Sequence, residues 1–192
     1  MGRTHSPNAS VCRDQIDSES MSRFPLGHTT MLKLFVYGTL KRGCRNHHAF
    51  CRGFVEVREA IVRGRLYEGP GYPILEVPEG DILAQGTTDP LADAATQARL
   101  SPRVQAGLHR LPEGATGEAW DTVYGELFTF DDPRTRLPPI DRLEGFRPGG
   151  RCLFRRVLVP ACVEGVTQPA WVYAVENLGI SRHRIASGRW PE

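Results

Sequence analysis

The sequence predicts an α+β protein, a small mixed β-barrel with flanking short helices. Three observations carry that expectation. Beyond residue 30, at least five segments rich in Val, Leu, Phe and Tyr read as strands. Few stretches carry helix-start and helix-stop signals. Strands and helices do not alternate as a βαβ protein requires, so strands closing on themselves are expected.

The elements follow in order. Residues 1–30 are polar and aperiodic and are expected to form a disordered arm. Met31 directly precedes the first strand and offers an alternative translation start, with residues 31–192 as one domain. LKLFVY (32–37) is the first strand. VEVREAIVRGRLYEG (55–69) alternates in part, and Gly64 marks a bulge or a close approach. Asp89-Pro90 reads as an N-cap followed by proline at the first helical position. It opens a helix over LADAATQARL, and SPRVQAGLHRL continues as a second one. The block at about 85–119 reads as an insertion between strands. TVYGELFTF (122–130) sets Val123 and Leu127 on one face and Tyr124, Phe128 and Phe130 on the other. PPIDRLEGF reads as a short helix starting at Pro139, with Ile140 and Leu143 inward and Gly145 as its stop. LFRRVLVPACV (153–163) and PAWVYAVE (169–176) complete the strands.

Composition narrows the function. The 192 residues suffice for one real core, and 40% hydrophobic with 24% charged residues is ordinary for a globular protein. A net charge of +2 without a dense Lys/Arg run argues against a nucleic-acid partner. No apolar run approaches the ~20 residues that span a membrane. The N-terminus lacks the apolar core of a signal peptide, so a cytoplasmic protein without a membrane partner is expected. Five cysteines and no CxxC pair predict neither a zinc site nor a disulfide framework. His48, His109 and His183 have no metal-ligand spacing.

Two short stretches could carry chemistry. In PPIDRLEGF, Glu144 falls at the end of the helix, where the dipole is adverse to a carboxylate. Asp141, a like charge one turn earlier, would raise its pKa further, as would burial. Glu144 is then either a proton shuttle or an exposed charge on a surface helix. Asp141 itself receives no chemical role. In YGTL, a strand running into Tyr37-Gly38-Thr39-Leu40 leaves backbone N–H groups without sheet partners. Such a loop is either an anion cradle or a plain turn.

Taken together, these segments resemble the γ-glutamylcyclotransferase superfamily, in its AIG2-like or γ-glutamylamine cyclotransferase-type branch. The residues that carry the resemblance are Tyr37-Gly38-Thr39-Leu40, then Gly43-Cys44-Arg45-Asn46-His47, then Gly71-Tyr72-Pro73. Val123-Tyr124-Gly125-Glu126-Leu127-Phe128, Ile140-Asp141-Arg142-Leu143-Glu144-Gly145 and Phe154-Arg155-Arg156 follow in the family's order. The ending ISRHRIASGRW is similar to that of bacterial members. The resemblance covers about residues 31–190, apart from the insertion.

The resemblance implies a γ-glutamylcyclotransferase-like barrel with a pocket at the YGTL loop. It implies an enzyme, a lyase or acyltransferase, that cyclises a γ-glutamyl group to 5-oxoproline and releases the attached amine. No cofactor and no metal are implied, and the partner is a small-molecule γ-glutamyl substrate. Glu144 is implied as the acid/base. The backbone of Tyr37, Gly38, Thr39 and Leu40 would bind the γ-glutamyl head, with Asn46, Tyr72 and Phe154 as further substrate-binding candidates. Asn46 and His47 fit a loop-fixing role as well. Phe154 stands where the family has Tyr, which removes one hydroxyl, and Phe128 replaces a second Tyr. Arg156 either pairs with a pocket carboxylate or sits on the barrel surface. Two other readings remain open: a non-catalytic module binding 5-oxoproline or a γ-glutamyl peptide, and processing of a specialised γ-glutamylated metabolite.

Overall fold

The computed structural model describes residues 1, 30–107, 119–150, 152–175 and 182–191. The expected N-terminal arm falls almost wholly outside these residues, as do 108–118 of the expected insertion.

The predicted barrel is present. Its staves are β1 (Leu32–Val36), β2 (Glu56–Glu68), β5 (Asp121–Phe130), β6 (Arg155–Val163) and β7 (Val166–Ala174). Two shorter strands, β3 (Pro73–Glu76) and β4 (Ala84–Gln85), extend the sheet. The order is β3-β2-β5-β1-β7-β6-β4, and an additional β2–β6 pairing closes the ring. That closing seam is short, with Ile61 opposite Cys162 and Val62 opposite Ala161. The β1–β7 pairing is parallel and the other pairings are antiparallel. Sequence reading missed β3 and β4 because four and two residues are too few to display an alternation.

Strand alternation sorts the apolar residues into two cores. Phe35, Val62, Val123, Leu127, Val157, Val159 and Val172 fill the barrel interior. Leu32, Leu34, Phe128, Phe130, Leu158 and Trp171 face outward and are covered by Ala94, Leu137 and Ile140 of the helices. A five-stranded barrel is narrow, so large rings inside it need small neighbours. Gly125 supplies one: a Cβ there would lie 2.6 Å from the Phe35 ring and 2.3 Å from the Val36 carbonyl oxygen. Gly64 marks the predicted close approach, since a Cβ there would stand 2.7 Å from the Glu76 carbonyl oxygen.

The helices depart from expectation in length. Besides the single-turn α1 (His47–Phe50), there are α2 (Pro90–Gln105) and α3 (Pro133–Glu144). Asp89 caps α2, accepting from the Leu91 and Ala92 amides at 2.9 and 3.3 Å, with Pro90 behind it. Instead of breaking at Ser101-Pro102, α2 runs through as one helix. Pro102, inside the helix, forfeits its own amide bond. Continuation lets Val104, 1% exposed, join Ala94 in a buried stripe. Helix α3 starts six residues before Pro139 because Asp132-Pro133 repeats the Asp89-Pro90 device, and Asp132 accepts from the Thr135 amide at 3.2 Å. No described helix is long and apolar enough to cross a membrane.

Candidate active site

Beyond β1 the chain turns through Gly38-Thr39-Leu40, and all three residues are buried. The turn is tied down from several sides. Lys41 N donates to the Gly38 carbonyl at 3.0 Å. Asn46 holds Thr39 twice, through N to the Thr39 carbonyl and through Nδ2 to its Oγ1, both at 3.0 Å. The His47 Nδ1 lies 3.2 Å from the Leu40 carbonyl, and since a carbonyl only accepts, this nitrogen carries the proton. Arg42 grips Glu126 of β5 through N and Nε, each at 2.8 Å. The amides of Gly38, Thr39 and Leu40 themselves donate to no described residue. Gly38 is needed for a close approach to protein rather than for an unusual φ: a Cβ there would stand 2.9 Å from the Pro73 ring.

These residues wall a cavity of about 340 Å³. It gathers every site residue expected from the sequence: Tyr37, Gly38, Thr39, Leu40, Asn46, Tyr72, Glu144 and Phe154. The floor is buried and mostly apolar, from Phe35 to Leu40 with Pro73, Phe154 and Tyr173. Phe154 is 5% exposed and meets Tyr72 edge to face, with ring centroids 6.2 Å apart.

Glu144 reaches this cavity from the last turn of α3. Gly145, at φ 66°, ends the helix in a Schellman arrangement: Gly145 N donates to the Arg142 carbonyl at 3.3 Å and Phe146 N to the Asp141 carbonyl at 2.8 Å. Burial pushes the Glu144 carboxyl up to about 7. Its charge, after burial itself, also helps hold the Tyr37 phenol well above its usual value. The expected contribution of Asp141 to Glu144 is corrected here, because the Asp141 charge is engaged elsewhere. Leu143, expected inward, is instead 37% exposed at the cavity mouth. Ile140 alone of that pair is buried.

Asp141 joins a buried cluster behind the cavity. It accepts from the Arg156 guanidinium and, at 2.7 Å, from the Tyr173 hydroxyl. The same guanidinium pairs with Asp93 of α2 and donates to the Thr87 carbonyl at 2.7 Å. It lies 4.6 Å from the Phe146 ring centroid. Arg156 therefore matches neither sequence alternative: it is fully buried between the barrel and two helices, outside the cavity lining. Tyr173 closes the chain, since it lines the cavity and its carbonyl accepts from the Tyr37 hydroxyl at 2.8 Å. Sequence reasoning missed Tyr173 and Asp93. The available signal was a tyrosine hydroxyl on the outward face of β7 and an acidic residue in the first turn of α2.

No described cysteine or histidine lines the cavity. The Cys51 thiol is pushed up to about 12, chiefly by burial, and is an inert filler. Cys44 is half-buried and outside the cavity lining. His48 stacks edge-on with His47 at 5.5 Å, His183 contributes its carbonyl to the Glu68 amide, and His109 lies outside the described residues. Among the described residues no group of three His, Cys, Asp or Glu could hold a metal ion.

Comparison with solved structures returns distant likenesses. YkqA from Bacillus subtilis is 21% identical, with a TM-score of 0.46; the alignment covers 83% of this chain but only 39% of YkqA. The uncharacterised protein PH0828 from Pyrococcus horikoshii is 15% identical over 82% of this chain and 88% of its own, with a TM-score of 0.44. An AIG2-like protein from Mus musculus is 20% identical over 80% and 86%, with a TM-score of 0.40. No curated protein is significantly similar to the chain in sequence. The sequence profile described as gamma-glutamyl cyclotransferase, AIG2-like, matches residues 34–101 and 95–192, a span from β1 through the Glu144 helix end to the tail. That match takes in most of the protein, and the chain belongs to the AIG2-like γ-glutamyl cyclotransferase family.

Proposed function

We propose that this protein is a cytoplasmic γ-glutamylcyclotransferase-like enzyme that converts a γ-glutamyl amine or peptide to 5-oxoproline and the free amine. The observation that carries the reading is the Glu144 carboxyl, raised to about 7, in the cavity lined by Gly38, Thr39 and Leu40, whose amides donate to no described residue.

The substrate brings its own nucleophile. Held folded in the cavity, its α-nitrogen stands against its γ-carbonyl carbon, so proximity supplies much of the rate. Glu144, as the carboxylate, takes a proton from the α-ammonium. The α-nitrogen then bonds to the γ-carbon, and the carbonyl oxygen becomes an oxyanion. The amides of Gly38, Thr39 and Leu40 donate to that oxygen, a role that suits fixed dipoles on a buried floor. Collapse breaks the bond to the leaving nitrogen, which takes the proton back from Glu144. The ring nitrogen then gives its second proton, by way of the Glu144 carboxylate, to the freed amine, leaving a neutral lactam and an ammonium product. A pKa near 7 suits a group that must both accept and return a proton. The apolar floor of Tyr37, Phe154 and Tyr173 excludes water and so disfavours hydrolysis.

A binding module for 5-oxoproline would use the same floor but would have no use for a carboxyl tuned to neutrality. Incubation with a panel of γ-glutamyl amines and peptides, scoring 5-oxoproline release, tests the proposal. Release that disappears in Glu144→Gln is expected. Tight 5-oxoproline binding with no turnover of any panel member would make the module the better reading.

A further inference from the structure

The mouth of the cavity differs chemically from its floor. Its exposed lining residues are Arg45, Leu143, Gly145 and Leu153. Leu143 and Leu153 are 37% and 50% exposed, so two large apolar side chains face solvent on one rim. Arg45 makes no ion pair or hydrogen bond with any described residue, whereas Arg42, Arg63 and Arg156 all do. Glu144 is the sole carboxylate among the described lining residues.

We propose that Arg45, Leu143 and Leu153 form a leaving-group subsite for an amine that carries a carboxylate beside an apolar side chain. The proposal rests on the γ-glutamyl reading above and names the other half of the substrate. With the γ-glutamyl head on the amides and its scissile bond at Glu144, the released amine must lie toward the mouth. There it meets an arginine free to take a carboxylate and two leucines whose exposure an apolar side chain would reduce. A cationic leaving group would meet Arg45 with no carboxylate but Glu144 to offset it. The arginine is exposed, so its effect has the modest size of a surface ion pair and is screened by salt.

The test compares γ-glutamyl-leucine, γ-glutamyl-leucinamide, γ-glutamyl-glycine and a γ-glutamyl diamine on the full-length protein. In low salt the acid should exceed the amide in kcat/KM by about three- to fivefold, mainly through KM, and the diamine should be poorest. The leucyl compound should exceed the glycyl one, and Leu153→Ser should narrow that gap. Arg45→Gln should bring the acid-to-amide ratio to about one, and Arg45→Glu should invert it. A merely structural arginine would weaken both substrates alike and leave the ratio unmoved. Turnover of the panel with a flat acid-to-amide ratio, or an Arg45→Glu ratio like that of the wild type, would overturn the subsite while sparing the cyclotransferase reading. Absence of 5-oxoproline from every compound would overturn both.

Discussion

Tyr173 donates its hydroxyl to Asp141 at 2.7 Å, a bond that ties the cavity wall to the helix bearing Glu144. Asp141 precedes Glu144 by one helical turn, and the same carboxylate pairs with the buried Arg156. The bond therefore sets where the end of α3 sits on the barrel.

Asp141 is accordingly far from neutral to mutation, although the sequence assigns it no role. Asp141→Asn should lower unfolding stability by about 1–3 kcal/mol, the scale of a weakened charged hydrogen bond in a buried place. Arg156→Met, which strands the Asp93 and Asp141 carboxylates, should cost about 3–5 kcal/mol. Urea denaturation reads both. Equal midpoints for wild type and Arg156→Met would show that the cluster contributes nothing.

Glu144→Gln should cut turnover by roughly 10²-fold or more, the scale of general acid–base catalysis, with little loss of ligand binding. In the wild type, kcat/KM should rise with pH through about 7 as the carboxyl ionises. Full activity of the amide variant on a confirmed substrate would refute the proton-shuttle role.

The same carboxyl makes stability depend on pH. Its folded pKa of about 7 exceeds the ordinary 4.5, so between these values the unfolded chain releases a proton that the folded one keeps. Wild-type stability should fall as pH rises across that window, by up to about 3 kcal/mol, and stay lowered above it. Glu144→Gln should lack this drop and be the more stable protein at pH 8. Parallel stability curves for the two proteins from pH 4 to pH 8 would contradict the burial of Glu144.

Gly38→Ala forces a Cβ to 2.9 Å from the Pro73 ring. Such overpacking costs about 1–3 kcal/mol. It should also displace the Thr39 and Leu40 amides, lowering kcat more than it raises KM. An alanine variant with wild-type kcat would show that the loop tolerates the shift.

Phe154→Tyr restores the hydroxyl that the family pattern carries. Because Phe154 lines the cavity, the fold should survive with a melting temperature within a few degrees, and turnover on simple γ-glutamyl substrates should rise. Severe destabilisation would mean that the ring edge is sealed in apolar packing instead.

The strands of the barrel, both faces of β5, the N-cap of α2 and the Gly145 stop were all legible in the sequence. Each is written in near neighbours: a period of two, an Asp-Pro pair, or a glycine that alone accepts φ 66° cheaply. The candidate site was legible too, as short motifs whose order is that of the family. The sequence left undecided what depends on distant partners. Whether Glu144 is buried or exposed follows from how α3 lies against the YGTL loop, about a hundred residues away in the chain. The fate of Asp141 was set by Arg156 and Tyr173, which reach it from β6 and β7. Helix α2 continues through Pro102 because burying Val104 compensates for a lost amide bond. Local propensity acts within a turn or two of chain, whereas burial and charge pairing are properties of a surface that exists only once the barrel has closed.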